Sequence, residues 1–230
     1  MDRPPPPLPA HWPYPPRPAA GMPVRQERVA LPGLPGLWHL EAVLDLDRST
    51  PAAGLGPEAF GRGGVLRAGT VVLRPYRRGG LMRHLNASLY AGPGRFRREF
   101  QVHRALWLAG APTVEPLGWA WRRRLWGCEG VFLTRLADAV PWPRAWDSAG
   151  LPAQLDTLLA ALCAWGLYAP DLNATNVLVD PTGGLLTLDW DRAAWVPGLA
   201  ADALMARYRS RLARSLAKLG APQALRAGLA

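Results

Sequence analysis

The chain has 230 residues, 49% of them hydrophobic, with Lys+Arg 27 against Asp+Glu 17 and a net charge of +10. That length suits one ordinary domain or a compact two-lobed one, and the apolar content excludes wholesale disorder. Two cysteines, Cys128 and Cys163, exclude a disulfide framework and show no metal-ligand spacing, which fits a reducing, cytosolic setting.

No apolar run reaches the roughly 18 residues that a membrane-spanning helix needs. Nearly all the positive charge is arginine, since Lys218 is the only lysine. Planar guanidinium forks suit phosphates and carboxylates, so nucleotides, anionic lipid headgroups and nucleic acid are the partner classes to weigh.

Pro4 to Pro7 occupy the place of a signal peptide's apolar stretch, so no signal peptide is expected. Residues 1–30 read as a proline-rich disordered tail that runs through Pro13, Pro15, Pro16 and Pro18 and favours extended polyproline II. Such a tail serves as a docking peptide for a partner domain or is an unselected terminus.

A first strand is expected over Leu37–Leu46. The run Gly61-Arg62-Gly63-Gly64, then Val65-Leu66, a turn near Gly69 and Val71-Val72-Leu73-Arg74 make a hairpin pattern. Gly79-Gly80 opens another loop. Arg95–Ala109 reads as a helix with Phe96, Phe100, Ala105 and Leu108 towards a core, and Pro112 stops it. Strands follow over Leu117–Arg122 and Gly130–Arg135.

The second half changes character. Leu151–Trp165 is helical, with Leu155, Leu158, Leu159 and Leu162 on one face. Short strands at Val177–Val179 and Leu185–Leu188 flank a turn at Pro181–Gly184. The last helix, Ala200–Leu219, lines up Leu204, Tyr208, Leu212 and Leu216, while Arg207, Arg211 and Arg214 fall on other faces. A strand-rich half with one helix before a helix-rich half with a short hairpin is the layout of a two-lobed kinase, with the nucleotide between the lobes.

The segment Asp171-Leu172-Asn173-Ala174-Thr175-Asn176, followed by the hairpin and Asp189-Trp190-Asp191, carries the chemistry. Phosphoryl transfer needs a carboxylate to orient the acceptor hydroxyl and take its proton, and oxygen ligands to hold Mg²⁺ against the nucleotide phosphates. An Asp and an Asn five positions apart on one loop supply both, and a second Asp returned by a short hairpin completes the metal site. The structural alternative is that Asp171 caps a turn, Asn176 sits in a loop and Asp189 bonds to backbone.

Tyr168-Ala169-Pro170-Asp171-Leu172-Asn173-Ala174-Thr175-Asn176-Val177-Leu178-Val179-Asp180, then Leu188-Asp189-Trp190-Asp191-Arg192, resembles the catalytic core of the 3-deoxy-D-manno-octulosonic acid (Kdo) kinases, in the lipopolysaccharide kinase branch of the protein-kinase-like fold. Val72 to Leu81, with its arginines before Gly79-Gly80, resembles that family's strand and basic glycine turn, and Arg97-Arg98-Glu99-Phe100 its helix. The resemblance implies an α+β, two-lobed fold: a strand-rich N-lobe over 31–136 and a small helical C-lobe over 137–230.

It also implies roles. Asp171 is the catalytic base, and Asn176 and Asp189 bind Mg²⁺. Arg74 takes the place of the strand lysine at the nucleotide phosphates, with Glu99 as its helix partner. Gly61, Gly63 and Gly64 form the loop over the phosphates of ATP. Without the family, Arg74 reads equally well as a snorkelling surface arginine.

The family usually has a histidine where this chain has Ala169, which implies weaker positioning of the loop. Trp190 stands where phenylalanine is usual, which implies a change in bulk only. The implied acceptor is a sugar hydroxyl on a Kdo-bearing lipid A precursor, met peripherally on the cytoplasmic face of the inner membrane. Heptose kinases and other small-molecule kinases of the same fold, and a non-catalytic pseudokinase scaffold, stand as alternatives.

The four histidines, His11, His39, His84 and His103, show no ligand spacing and read as surface or hydrogen-bonded residues. Trp119, Trp121 and Trp126 interleaved with Arg122 to Arg124 read as a strand with buried tryptophans and a basic hairpin tip, or as a base-stacking surface. Arg77, Arg78 and Arg83 with the last helix read as a basic face for lipid A phosphates or as a solvated one. Nucleic acid comes last among the partners, since lipid and nucleotide already account for the basic residues.

Overall fold

Strands dominate the first half of the chain, and most of its helices lie in the second. The computed structural model, which describes residues 4–18, 24–43, 64–77 and 89–228, is a mixed α and β structure. Two compact units divide the chain: Ala19–Gln101 with Glu115–Leu136, and Met1–Pro18 with Val102–Val114 and Ala137–Ala230. Gly61, Gly63, the Gly79-Gly80 turn, Arg78, Arg83 and His84 lie outside the described residues.

The first unit is built on a six-stranded sheet. Its strands are β1 (Val24–Ala30), β2 (Leu37–Val43), β3 (Leu66–Ala68), β4 (Val71–Pro75), β5 (Pro116–Arg124) and β6 (Gly127–Arg135), in the order β1-β2-β5-β6-β4-β3. Each of these pairings is antiparallel. One set of buried side chains joins Leu40, Leu73, Leu117, Ala120, Val131 and Leu133. Alternation along the strands sends Trp119 and Phe132 into a second cluster, where they meet Phe96 and Phe100 of α1 (Gly94–Leu108). Gly130 is required there, because a Cβ would lie 2.5 Å from the Phe96 ring.

The expected core face of α1 holds for Phe96 and Phe100 and changes beyond them. Val102 and Leu106 are buried, whereas Ala105 and Leu108 are half-exposed. The helix changes clusters there: Phe96 and Phe100 pack in the first unit, Val102 and Leu106 in the second.

The second unit contains β7 (Val140–Pro141), α2 (Leu151–Ala164), β8 (Leu167–Tyr168), β9 (Val177–Val179), β10 (Leu185–Thr187), β11 (Ala194–Trp195), α3 (Ala201–Lys218) and α4 (Gln223–Gly228). The leucine rows of α2 and α3 are fully buried: Leu155, Leu158, Leu159, Leu162, Leu204, Leu212 and Leu216 are each 0% exposed. β9 pairs with β10 and β7, and β8 pairs with β11. Among the described residues no helix is long and apolar enough to cross a membrane.

The reading of residues 1–30 as a tail outside the fold is corrected over Pro4–Pro18 and Val24–Ala30. Val24–Ala30 pairs with β2 along its whole length, Val24 opposite Val43 and Ala30 opposite Leu37. Pro4–Pro18 is a strap on the end of α1. Trp12 Nε1 donates to Ala109 O at 2.6 Å, the Arg17 amide to Leu108 O at 2.8 Å, and the Arg17 guanidinium to Trp107 O. The last carbonyls of a helix have no partner within it, and the strap brings donors to them. Trp12 also meets the Trp165 ring edge-on at 5.1 Å, and Trp165 Nε1 donates to Pro6 O at 3.0 Å.

Candidate active site

Asp171 follows β8, and the β8–β11 pair opposes Tyr168 to Ala194, so the chain leaving β8 starts beside the chain entering β11. The backbone carbonyl of Asp171 accepts from Asn173 Nδ2 at 2.7 Å and from Asn176 Nδ2 at 2.8 Å. Asn173 Oδ1 in turn accepts from the Thr175 amide at 2.9 Å and its hydroxyl at 2.6 Å. The loop is thereby tied into one turn by two asparagines, as short polar side chains that bond nearby backbone commonly do.

The β9–β10 hairpin closes the distance in sequence between Asn176 and Asp189. Its register pairs Leu185 with Val179 and Thr187 with Val177, and the Leu188 amide donates to Asn176 O at 3.0 Å. Asp189 therefore lies one residue beyond a direct backbone bond to Asn176. Asp180 fixes the hairpin's turn: its Oδ1 accepts from the Thr182 amide at 2.8 Å, the Thr182 hydroxyl at 2.7 Å and the Gly184 amide at 2.7 Å. Those bonds, led by the Thr182 hydroxyl, hold the Asp180 carboxyl below the usual carboxylate range.

Asp189 and Arg192 have φ of 62° and 61°, left-handed conformations uncommon outside glycine. Neighbouring bonds hold this segment. Trp190 Nε1 donates to Thr113 Oγ1 at 2.9 Å, Thr113 Oγ1 donates to Thr187 O at 2.9 Å, and the Ala193 amide closes a turn onto Trp190 O at 3.0 Å. His103 Nε2 lies 2.9 Å from both Thr113 Oγ1 and Val114 O. A carbonyl only accepts, so Nε2 carries the proton. Trp190 is thus more than a change in bulk, because a phenylalanine could not donate to Thr113. Strain gathered at a short segment and balanced by its surroundings is typical of functional sites.

The Asp171 carboxylate is held by arginine. Arg192 donates through Nε to Oδ2 at 2.8 Å and through its terminal nitrogen to Oδ1, a two-pronged fork, and Arg211 Nη2 of α3 reaches Oδ1 at 3.3 Å. The helix α3 meets the same loop at two further points. The Tyr208 hydroxyl accepts from the Ala169 amide at 2.9 Å and donates to Leu167 O at 2.8 Å, and Ser215 Oγ accepts from the Ala174 amide at 3.2 Å. Tyr208, Arg211 and Ser215 stand at intervals that share a helix face. Burial pushes the Tyr208 phenol well up, so the hydroxyl stays neutral and keeps its donor. The loop that has Ala169 in place of histidine is therefore braced through its backbone.

Asn176 and Asp189 fit a hard divalent cation. Asn176 commits its amide nitrogen to Asp171 O, so its carbonyl oxygen would be the atom to hold a cation, and Asp189 would add a carboxylate. Mg²⁺ is commonly held by one or two such oxygens together with water and phosphate rather than by an all-protein cage. Among the described residues there is no group of three or more His, Cys, Asp or Glu side chains able to hold a metal by themselves.

In the first unit Arg74 of β4 pairs with Glu99 of α1, and the Tyr76 hydroxyl donates to the other carboxylate oxygen. Glu99 is buried, and the Arg74 guanidinium lies over the Tyr76 and Phe132 rings at 5.3 and 5.6 Å. Gly64, the described member of the glycine run, has φ of 66°.

Sequence reasoning singled out Asp171, Asn176 and Asp189, which the hairpin brings together, and Arg74 with Glu99, which touch. It missed Arg192 as a partner of Asp171, assigned Arg211 to a general basic face, and overlooked the Tyr208 hydroxyl. The arginine three positions after Asp189 was the available signal for Arg192.

No family model matches the chain. Curated relatives named 3-deoxy-D-manno-octulosonic acid kinase do. One from Xylella fastidiosa is 32% identical over 161 residues, 66% of this chain and 63% of the relative. Those from Xanthomonas oryzae pv. oryzae and Xanthomonas campestris pv. campestris are each 34% identical over 185 residues, 75% of this chain and 72% of the relative. The chain thus spans less than two thirds of the Xylella relative's length and more than two thirds of the Xanthomonas ones. On that identity and coverage, this chain belongs to the 3-deoxy-D-manno-octulosonic acid kinase family.

Proposed function

We propose that this chain transfers the γ-phosphate of ATP to a sugar hydroxyl on a Kdo-bearing lipid A precursor, in lipopolysaccharide core biosynthesis. The observation that carries the proposal is the hairpin-linked set Asp171, Asn176 and Asp189 in a chain of this family. Asp171 orients the acceptor hydroxyl and takes its proton as the oxygen–phosphorus bond forms and the bond to the leaving ADP breaks. The transition state of such transfer is loose, so orientation matters more than basicity, and a carboxylate held by two arginines suits the task. Mg²⁺ at Asn176 and Asp189 would neutralise charge on the ATP phosphates.

The sheet unit corresponds in this proposal to the N-lobe of a two-lobed kinase-like fold and the helical unit to its C-lobe. Arg74 contacts the nucleotide phosphates in the role of a strand lysine, and Glu99 sets its direction. Gly64, with Gly61 and Gly63, belongs to the phosphate loop. The acceptor is a glycolipid, so the protein works at the cytoplasmic face of the inner membrane, bound peripherally.

Label transfer from γ-labelled ATP tests the reading, with Kdo-lipid A precursor, a core-heptose acceptor and no acceptor compared side by side. Label on the Kdo lipid that requires Mg²⁺ and is lost in Asp171→Ala and Asp189→Ala is the expected result. Label on heptose alone reassigns the acceptor. Absence of transfer to every acceptor, with ATP still bound, would make the chain a pseudokinase.

A further inference from the structure

The turn between β5 and β6 breaks the rule for a solvated hairpin tip. Two-residue turns favour Gly, Asn and Asp, which tolerate the turn's backbone and water. Here the two residues are Leu125 and Trp126, 88% and 83% exposed, above every other large hydrophobic side chain among the described residues. Trp119, further back on β5, is buried, so the strand reverses its usual gradient and ends with its apolar groups in water.

Charge surrounds this tip. Arg122, Arg123 and Arg124 precede it, and the first and last share one carboxylate, Glu129, at 2.5 and 3.2 Å. Three arginines against one glutamate leave the tip positive. Arg122 also donates to Pro35 O and stacks on Trp38 at 4.5 Å, which brings the 35–38 segment, with its exposed Leu37, to the hairpin's root.

An exposed indole and an aliphatic chain with guanidinium groups behind them match the boundary between lipid headgroups and acyl chains. Tryptophan favours that interface, leucine gains from the acyl region, and arginine meets the phosphates. We propose that the β5–β6 hairpin tip, Leu125 and Trp126 backed by Arg123 and Arg124, docks the protein on an anionic lipid bilayer. Nucleic acid would use the arginines and the indole but would offer the leucine nothing apolar to enter. The choice of a bilayer rests in part on the glycolipid acceptor proposed above.

The test is sedimentation of the full chain with vesicles of phosphatidylcholine alone and of phosphatidylcholine with phosphatidylglycerol. Wild type should bind the anionic vesicles, less so as salt rises. The double variant L125S/W126S should bind at least about tenfold more weakly, and Arg123→Ser about fivefold more weakly. The double variant should melt with wild type, since both side chains are exposed.

A fluorophore on L125C should shift to the blue only on anionic vesicles, a clean readout because Cys128 and Cys163 are buried. Failure of wild type to bind, equal binding by the double variant, or an unshifted label on bound protein would overturn the proposal. So would salt-sensitive RNA or DNA binding that the double substitution abolishes while vesicle binding persists. None of these readouts involves phosphotransfer, so they stand or fall separately from the kinase reading. Wild-type transfer to a water-soluble Kdo acceptor by a double variant that no longer binds vesicles would support both.

Discussion

Glu99 and Asp171 are both held by arginine, and they are held differently. The Glu99 side chain is 1% exposed and shares its oxygens between one guanidinium and a tyrosine hydroxyl. The Asp171 side chain is 20% exposed and meets Arg192, itself 57% exposed, and Arg211. Only the Glu99 side of the pair is buried, Arg74 being 31% exposed. Removing Glu99 leaves a guanidinium that water reaches in part and a tyrosine hydroxyl without its acceptor, so Glu99 is bound up with the stability of its unit. A pair open to solvent contributes little to stability, and its partners can exchange. In the proposed function, the contrast separates a carboxylate that sets the direction of another group, Glu99, from one that meets a substrate, Asp171.

The largest expected effect is at the open carboxylate. Asp171→Asn should lower phosphotransfer about 10²- to 10⁴-fold while shifting thermal unfolding little, which steady-state kinetics beside calorimetry will read. Glu99→Ala should do the reverse in stability, costing about 3 kcal/mol in denaturant titration, and Glu99→Gln should cost less because it keeps a hydrogen-bonding group. Equal destabilisation at the two positions would break the contrast.

Tyr208→Phe sharpens it further. Loss of the hydroxyl leaves the Ala169 amide and Leu167 carbonyl unpaired, a cost of about 1–3 kcal/mol. If the brace positions Asp171, kcat should fall with the KM for ATP unchanged. A variant that is destabilised yet keeps the kcat of wild type would confine Tyr208 to packing.

The smallest effect concerns Asp180. Its folded pKa is lowered, so its contribution is complete above the ordinary carboxylate value of about 4 and fades as pH falls through the folded value. Asp180→Asn should therefore be less stable than wild type at neutral pH, and the two melting curves should converge in acid. A difference that persists at the lowest pH would remove the carboxylate's charge from the explanation.

What the sequence disclosed follows the range of the interactions involved. The β9–β10 hairpin and the leucine rows of α2 and α3 rest on local periodicity, so they were legible, and with the hairpin came Asn176 and Asp189. β1 was not, because five consecutive residues, Val24 to Arg28, are exposed and show no alternation. Its charged residues suit an edge strand, where they discourage pairing with another chain. The strap at Pro4–Pro18 escaped notice because its contacts come from Trp12 and Arg17 among prolines, with helix carbonyls about ninety residues away. Arg211 meets Asp171 across 40 positions, and no spacing rule spans that. For Trp190 the residue type was plain, but its bond to Thr113 required the fold.

The most direct test of the central claim is single-turnover label transfer from γ-labelled ATP to Kdo-lipid A precursor by wild type and Asp171→Asn, with ATP affinity measured on the same samples. The account predicts rapid transfer by wild type, slowed at least about a hundredfold in the variant, with ATP bound equally by both. Equal transfer rates would contradict it, because the carboxylate held by Arg192 and Arg211 would then have no part in the chemistry.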